Sequence, residues 1–315
     1  MIRVAVIGGG RNCEHEVSLA SAASVAAALD PASYDVVRLT IDPHGTWLDA
    51  GGRPIGLAGA AHALRGCAVV LPVVHGPRGE DGTLAALCEL AGLPYVGSGV
   101  GAGALAMDKW ATKLVAEAIG VATAPAALLT AATATTYLWT HPVVVKPVAA
   151  GSSLGVSLVE RPEQLADALA TALALDDRVL VEDLLVGREV DIAVIARPDG
   201  SRLLSPPLEI VVDGLFDHDA KYGGEADFRV PAALSEAEGK AVADAALAVF
   251  DALGCRGVAR VDFFVTDAGV VLNEVNTMPG FTAHSQVPRM YAAAGLSYPA
   301  LLDLLVRDAL ATPCG

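Results

Sequence analysis

Residues 260–276 read Arg260-Val-Asp262-Phe-Phe-Val-Thr-Asp-Ala-Gly-Val-Val-Leu-Asn-Glu274-Val-Asn276. The β-branched and aromatic content predicts two short strands around a turn at Asp267-Ala268-Gly269. A hairpin centred on Ala268 sets Asp262 opposite Glu274 and Arg260 opposite Asn276. Strand side chains alternate faces, so all four then project from one side of a sheet. Two carboxylates and a carboxamide on one rigid face are hard oxygen ligands, suited to Mg²⁺ held jointly with phosphate oxygens. By itself the segment reads equally well as the charged outer face of an edge hairpin, so the rest of the chain has to decide.

The 315 residues leave room for two or three domains with sizeable cores. Apolar residues make up 53% of the chain and aromatics only 5%, a balance that suits helices packed on sheets. A formal net charge of −15 excludes the basic footprint of a nucleic-acid binder. An acidic protein still binds an anionic nucleotide through local Lys, Arg, backbone N–H groups and metal. The five cysteines (Cys13, Cys67, Cys88, Cys255, Cys314) are odd in number and scattered, with no CxxC pair. They suggest neither a disulfide framework nor a zinc site, and fit a reducing cytoplasm. Met1-Ile-Arg-Val-Ala-Val-Ile-Gly reads directly as a strand, without the zones of a signal peptide. Residues 121–145 are free of Asp, Glu, Lys and Arg, but Pro125, His141 and Pro142 interrupt them. That stretch is expected to be linker and strand, and no membrane association is expected.

Along the chain, residues 2–7 predict a strand, followed by a helix to about Leu29 and strands at 34–41 and 68–74. A helix at 81–91 and a short strand at 95–96 come next. Alternating strands and helices imply a parallel, wound α/β sheet for the first hundred residues or so. A helix at 107–119, a strand at 142–147, the small-residue loop 149–155, a strand at 156–159, a helix at 162–175 and a strand at 179–182 suggest a compact α+β unit. From Glu189 come further strands, a polar Gly-rich loop at 213–227, a helix at 235–253, the hairpin, and a closing helix at 298–310. The expected domains are 1–106, 107–187 and 188–315, with no internal repeat.

Several segments carry chemistry, each with a plainer reading beside it. Gly8-Gly9-Gly10 between strand and helix presents backbone N–H groups to an anion, or simply makes a tight turn; it lacks the GxGxxG spacing. Glu14 near a helix start offsets the helix dipole or holds a substrate ammonium. His75-Gly-Pro-Arg-Gly-Glu-Asp-Gly82 follows an apolar strand, where wound sheets bind ligands, but is also a loop with a helix cap at Asp81 or Thr83. Lys146 beside Gly151-Ser152-Ser153-Leu-Gly155 joins a compact positive charge to a loop that phosphate can approach closely, though the P-loop pattern is absent. Val179-Leu-Val-Glu182 runs into a hinge whose backbone can pair with an adenine edge, while Glu182 and Glu189 are otherwise surface charges. Lys221-Tyr222 lies in the polar loop.

In order and spacing, these segments resemble the D-alanine–D-alanine ligases of the ATP-grasp superfamily over nearly the whole chain. The marks are Gly9-Gly10-Arg-Asn-Cys-Glu14-His-Glu-Val-Ser18, His75–Gly82, Pro94-Tyr-Val-Gly-Ser98-Gly, Met107-Asp-Lys109, Val145-Lys146-Pro147 with the 151–155 loop, and Ala220-Lys221-Tyr222. They end with Asn273-Glu274-Val-Asn276-Thr-Met-Pro-Gly280 and His284-Ser285. The resemblance implies a three-domain fold with ATP between the central and C-terminal domains. By it, Lys109, Lys146 and Ser153 would meet the phosphates, Lys221 the γ-phosphate, and Glu182 and Glu189 the adenine and ribose. Asp262, Glu274 and Asn276 would hold two Mg²⁺ ions, or Mn²⁺. Glu14 would hold the first D-alanine's ammonium, in a hydrogen-bonded set with Ser152 and Tyr222. Arg260 and the Gly280 N–H would stabilise an oxyanion, and His75, Ser285 and Gln286 would line the amino-acid sites. A homodimer acting in peptidoglycan precursor synthesis is likewise implied. Asn12-Cys13, Met278 and Gln286 depart from the family's common residues near the amino-acid sites, so a paralogous ligase with other substrates stays open. Tyr222 favours an amine acceptor, because depsipeptide-forming relatives carry phenylalanine there. A non-catalytic nucleotide-binding module would have lost the lysines or metal ligands, and all are present.

Overall fold

The computed structural model describes residues 1–211 and 227–312. Three sheets organise it. In the first, β1 (Ile2–Gly9) runs parallel to β2 (Tyr34–Ile41) and to β4 (Val69–Pro72), while β3 (Trp47–Leu48) closes one edge antiparallel to β2. The near-continuous apolar runs Val4-Ala-Val-Ile7 and Val69-Val-Leu71 suit strands covered on both faces. Helix α1 (His15–Ala28) packs on β1 with Ser18, Ser21, Ala22 and Val25 inward. A Cβ on Gly8 would collide with the Ala22 Cβ, so glycine there permits the close approach. The carboxyl ends of β1 and β4 therefore deliver residues 9–14 and 73–80 to one rim. Helix α2 (Gly56–Leu64), which the periodicity did not predict, covers another part of this sheet, and the strand expected at 95–96 is a single bridge from Tyr95 to Val70.

Helices α3 (Thr83–Leu90), α4 (Val100–Met107) and α5 (Lys109–Ala118) follow. The sequence predicted one helix over 107–119, but the chain breaks at Asp108, whose side chain accepts from the Ala111 N–H at 2.9 Å and caps α5. α4 was unread because Val100-Gly-Ala-Gly-Ala has no polar periodicity. Its Gly103 packs where a Cβ would strike the Glu80 carbonyl.

The second sheet, in the order β5-β8-β6-β7, is antiparallel: β5 (Ala126–Thr130), β6 (Val143–Pro147), β7 (Ser157–Val159) and β8 (Arg178–Asp183), backed by α6 (Leu165–Leu173). Its core of Leu129, Val143, Val145, Val159, Leu169, Val179 and Val181 draws on no residue outside this stretch. The third sheet centres on β9 (Arg188–Ala196), flanked by β10 (Arg202–Leu204), β11 (Leu208–Val211) with β12 (Asp227–Arg229), and by β13 (Val258–Thr266) with β14 (Gly269–Asn276). Helix α7 (Glu236–Ala252), opened by a Ser235/Glu238 capping box, covers β9 and β13. Helices α8 (Gln286–Ala293) and α9 (Tyr298–Ala311) join first and third sheets in one core, which unites Val4, Val69 and Leu71 with Ile195, Val258, Met290 and Leu305.

The hairpin pairs Arg260 with Asn276 and Asp262 with Glu274, as the sequence suggested. The local route differs. The turn is the two-residue Asp267-Ala268, and a register shift between Asp262 and Phe263 restores the expected pairs. Residue Asn273 falls at that irregularity.

Candidate active site

Two adjoining cavities open beside the hairpin, of about 520 and 510 Å³, joined by a narrow space lined by Glu14, Lys109, Gly151, Ser152, Glu274 and Asn276. The first lies between the second and third sheets and is lined by Lys109, Lys146, Ser153, Glu182, Glu189 and Glu274, among others. Pairing of β6 with β8 sets Val144 opposite Glu182, which brings Lys146, two residues on, to the same face as Glu182. Lys146 Nζ lies 2.6 Å from Glu182 Oε2 and donates to Asn273 Oδ1 at 3.3 Å. Lys113 Nζ lies 2.9 Å from the other carboxylate oxygen, Oε1. Burial opposes charge on Glu182, yet Lys146 and then Lys113 hold its carboxyl below the usual range. Lys109 Nζ lies 3.2 Å from Glu274 Oε2 and donates to the Ala150 carbonyl at 2.9 Å.

The second cavity lies between the first and third sheets and includes Glu14, His75, Arg260, Asn276, Gly280, Ser285 and Gln286. Glu14 Oε1 accepts from Ser152 Oγ at 2.5 Å, and its buried Oε2 has no hydrogen-bond partner among the described residues. A buried carboxylate oxygen without a donor is costly, and an ammonium is the group that satisfies it. Ser152 and Ser153 both adopt left-handed backbone angles, φ 52° and 54°. A side chain at Gly151 would overlap the Glu14 carboxylate. The loop is thus shaped to bring Ser152 onto Glu14.

His75 is buried with both ring nitrogens engaged: Nδ1 lies 2.7 Å from the Met278 carbonyl and Nε2 2.9 Å from Ser21 Oγ. Carbonyls only accept, so Nδ1 carries the proton and Nε2 accepts from Ser21, whose Oγ accepts from the Phe281 N–H at 3.1 Å. Burial drives the imidazole's pKa down and keeps it neutral. Its contacts orient the 278–281 loop. Asn12, one of the departures, ties the rim together by donating to the carbonyls of His75 at 2.7 Å and Pro77 at 2.8 Å. Cys13 beside it is exposed.

Arg260 forks onto Asp262 at 2.7 and 2.6 Å, with Asp191 3.5 Å from its Nε. Asn276 Nδ2 donates to Asp262 at 2.9 Å, and Gln286 Nε2 donates to Asp191 at 2.9 Å. Ser285 Oγ accepts from the Thr282 N–H at 3.0 Å at the start of α8. The sequence-derived residues Glu14, His75, Ser152, Arg260, Glu274, Asn276, Gly280, Ser285 and Gln286 therefore surround one space, with Asp262 buried behind it against Arg260 and Asn276, and Lys109, Lys146, Ser153, Glu182 and Glu189 surround the adjoining one. Lys221 and Tyr222, with residues 213–226 of the polar loop, lie outside the described residues.

Glu80, within the His75–Gly82 segment, also lines the second cavity. Its carboxyl accepts from the Gly76 N–H at 2.7 Å and the Met278 N–H at 3.0 Å, linking rim to loop. Burial, and then the charge of Glu14, pushes it up to about 8 from an ordinary value of 4.5. Because the folded pKa is the higher one, Glu80's contribution to stability is full below pH 4.5 and lost as pH rises through 8. Neutral His75 acts in the opposite sense only below its ordinary 6.5, so pH 6.5–8 isolates Glu80. The ligand-free protein is expected to lose at most about 2 kcal/mol across that window. Thermal melts should show a flatter profile for Glu80→Gln; identical slopes would refute the assignment.

A buried carboxylate oxygen without a donor, beside a cavity into which Lys109 and Lys146 reach, is an arrangement suited to holding an amino acid's ammonium against an anionic nucleotide. The family description "D-ala D-ala ligase C-terminus" matches residues 117–307, and "D-ala D-ala ligase N-terminus" matches 3–63 and 53–98. The D-alanine–D-alanine ligase of Mycolicibacterium vanbaalenii is 42% identical, aligned over 100% of this chain and 98% of its own length. The D-alanine–D-alanine ligase of Mycolicibacterium paratuberculosis is 40% identical over the same shares. Among solved structures, the VanG D-Ala:D-Ser ligase of Enterococcus faecalis superposes with TM-score 0.85 at 32% identity, covering 98% of this chain and 99% of that one. The Bacillus anthracis ligase complexed with ATP gives 0.81 at 27% identity, covering 98% of each chain. The chain belongs to the D-alanine–D-alanine ligase family. Its fold is that of the ATP-grasp ligases, and it is an ADP-forming, ATP-using enzyme.

Proposed function

We propose that this enzyme joins two D-alanine molecules into D-alanyl-D-alanine for peptidoglycan precursor synthesis, through an acyl phosphate. The observation that carries this reading is Glu14, held by Ser152 with its second oxygen unpartnered, facing the hairpin residues across one cavity. The first amino acid's ammonium meets Glu14 Oε2, which holds its carboxylate toward the nucleotide cavity. A carboxylate is a poor electrophile, so its oxygen attacks the γ-phosphorus of ATP, giving acyl phosphate and ADP. Lys109 and Lys146 take up charge on the phosphate oxygens, and Glu182 and Glu189 lie toward adenine and ribose. The second amino acid's free amine then attacks the acyl carbon. Arg260 and the Gly280 N–H face the developing oxyanion, each such donor contributing ~3 kcal/mol. The tetrahedral intermediate collapses and phosphate leaves. Lys221 and Tyr222 are assigned to the γ-phosphate and the Glu14–Ser152 set on sequence alone.

The donor set suits Mg²⁺. Asp262, Glu274 and Asn276 offer hard oxygens from one sheet face, and because Asn276 turns its Nδ2 to Asp262, its Oδ1 is directed elsewhere as an acceptor. When bound there, Mg²⁺ or Mn²⁺ supplies neutralisation of charge on the transferring phosphoryl group. Spans 1–106, 107–187 and 188–315 are proposed as the three domains, with the first amino-acid site on the first and ATP between the others. A cytoplasmic homodimer fits the reading, and among the described residues no helix is long and apolar enough to cross a membrane.

The deciding assay is ADP release with Mg-ATP across D-alanine, D-serine, D-lactate and a panel of L-amino acids. Turnover is expected with D-alanine alone. If another pair turns over and D-alanine does not, the paralogous reading replaces this one.

A further inference from the structure

Lys113 is a buried ammonium to which the reaction as described gives no role. It sits one turn beyond Lys109 on α5, behind the nucleotide cavity and outside its lining. Its side chain is 3% exposed and meets Glu182 Oε1 at 2.9 Å, while Lys146 meets Oε2 of the same carboxylate at 2.6 Å. Lys146 and Glu182 alone would make a neutral buried pair. A second buried ammonium on that carboxylate adds desolvation cost, and burial does push the Lys113 pKa down. Within this trio two cations face one carboxylate, which leaves the trio itself with one positive charge, and an anion placed against Lys146 offsets that cost.

We infer that Lys113 is a positioning residue for the nucleotide polyphosphate: it neutralises Glu182 from behind, so that the charge of Lys146 remains available to phosphate. The inference rests on the nucleotide reading above. The plainer role for Lys113 is a prop for β8 and the hinge after it. The two differ in what they do to a ligand without phosphates. A prop affects adenosine and ADP alike, whereas a charge relay affects ADP alone.

The test is calorimetric titration of the full-length protein with adenosine and with ADP. For Lys113→Met, ADP affinity is expected to fall roughly tenfold or more with adenosine within about twofold. The KM for ATP should rise with it. Lys113→Arg keeps the charge and should bind ADP within about threefold of wild type. Parallel losses for both ligands, or unchanged ADP affinity, overturn the inference. If Lys113→Met does not fold, Lys113→Gln enters the same comparison, and a selective tenfold loss of ADP binding in Lys113→Arg would itself be contrary. Wild-type protein that fails to bind ADP would instead refute the nucleotide reading.

Discussion

Glu274→Gln is expected to lower turnover by on the order of 10³-fold while leaving the chain folded. Glu274 meets Lys109 Nζ at 3.2 Å and is 20% exposed, so the pair that its loss breaks with Lys109 is partly solvated. Lys109 keeps its bond to the Ala150 carbonyl, and losing this pair should cost about 1 kcal/mol or less. The charge is what matters: a carboxamide has the shape of the carboxylate without the anionic oxygen that a divalent cation needs. ADP release and a thermal melt on one preparation check both halves. Near wild-type turnover would remove Glu274 from the metal site, and an unfolded variant would make it a structural residue.

Arg260→Met should be costly twice over. Asp262 would lose both short N–H donors, and Asp191 the cation 3.5 Å away, inside a site where charge is poorly solvated. Breaking such a pair from one side typically costs ~3–5 kcal/mol, which a shift in urea midpoint would register. Turnover should fall on the order of 10²-fold or more through loss of the oxyanion donor. Adding Asp262→Asn should recover part of the stability and none of the activity. A single variant within about 1 kcal/mol of wild type would contradict the buried-pair argument.

The pairing of Asp262 with Glu274 was legible because strand composition and the turn glycine mark both ends of the hairpin. The shift beside Asp262 was not, since no residue type announces it, and the expected pairs arose from a shorter turn combined with that irregularity. Lys109 and Lys146 were legible through short motifs. Their carboxylate partners depend on how β14 and β8 pack against other elements, which local sequence does not encode. The contacts of Asn12, Glu80 and Lys113 were not legible for the same reason: their partners are 63, 198 and 69 positions away in the chain. His75 stood out in the sequence and lines the second cavity, but only the fold shows both nitrogens spent on Ser21 and Met278. Helix α4 was missed because close packing, rather than amphipathic patterning, selects its glycines.

The middle sheet keeps its apolar residues to itself, whereas the first and third share one core. Polar bonds link it to its surroundings: Lys146 to Asn273 and Ser152 to Glu14 beside the two cavities, and Arg178 to Asp108 away from them. The molecule is in this sense a fixed anvil and a separate jaw. With its own apolar core complete, the jaw meets the anvil through side chains such as Lys146 and Ser152, which an anion in the gap would also meet.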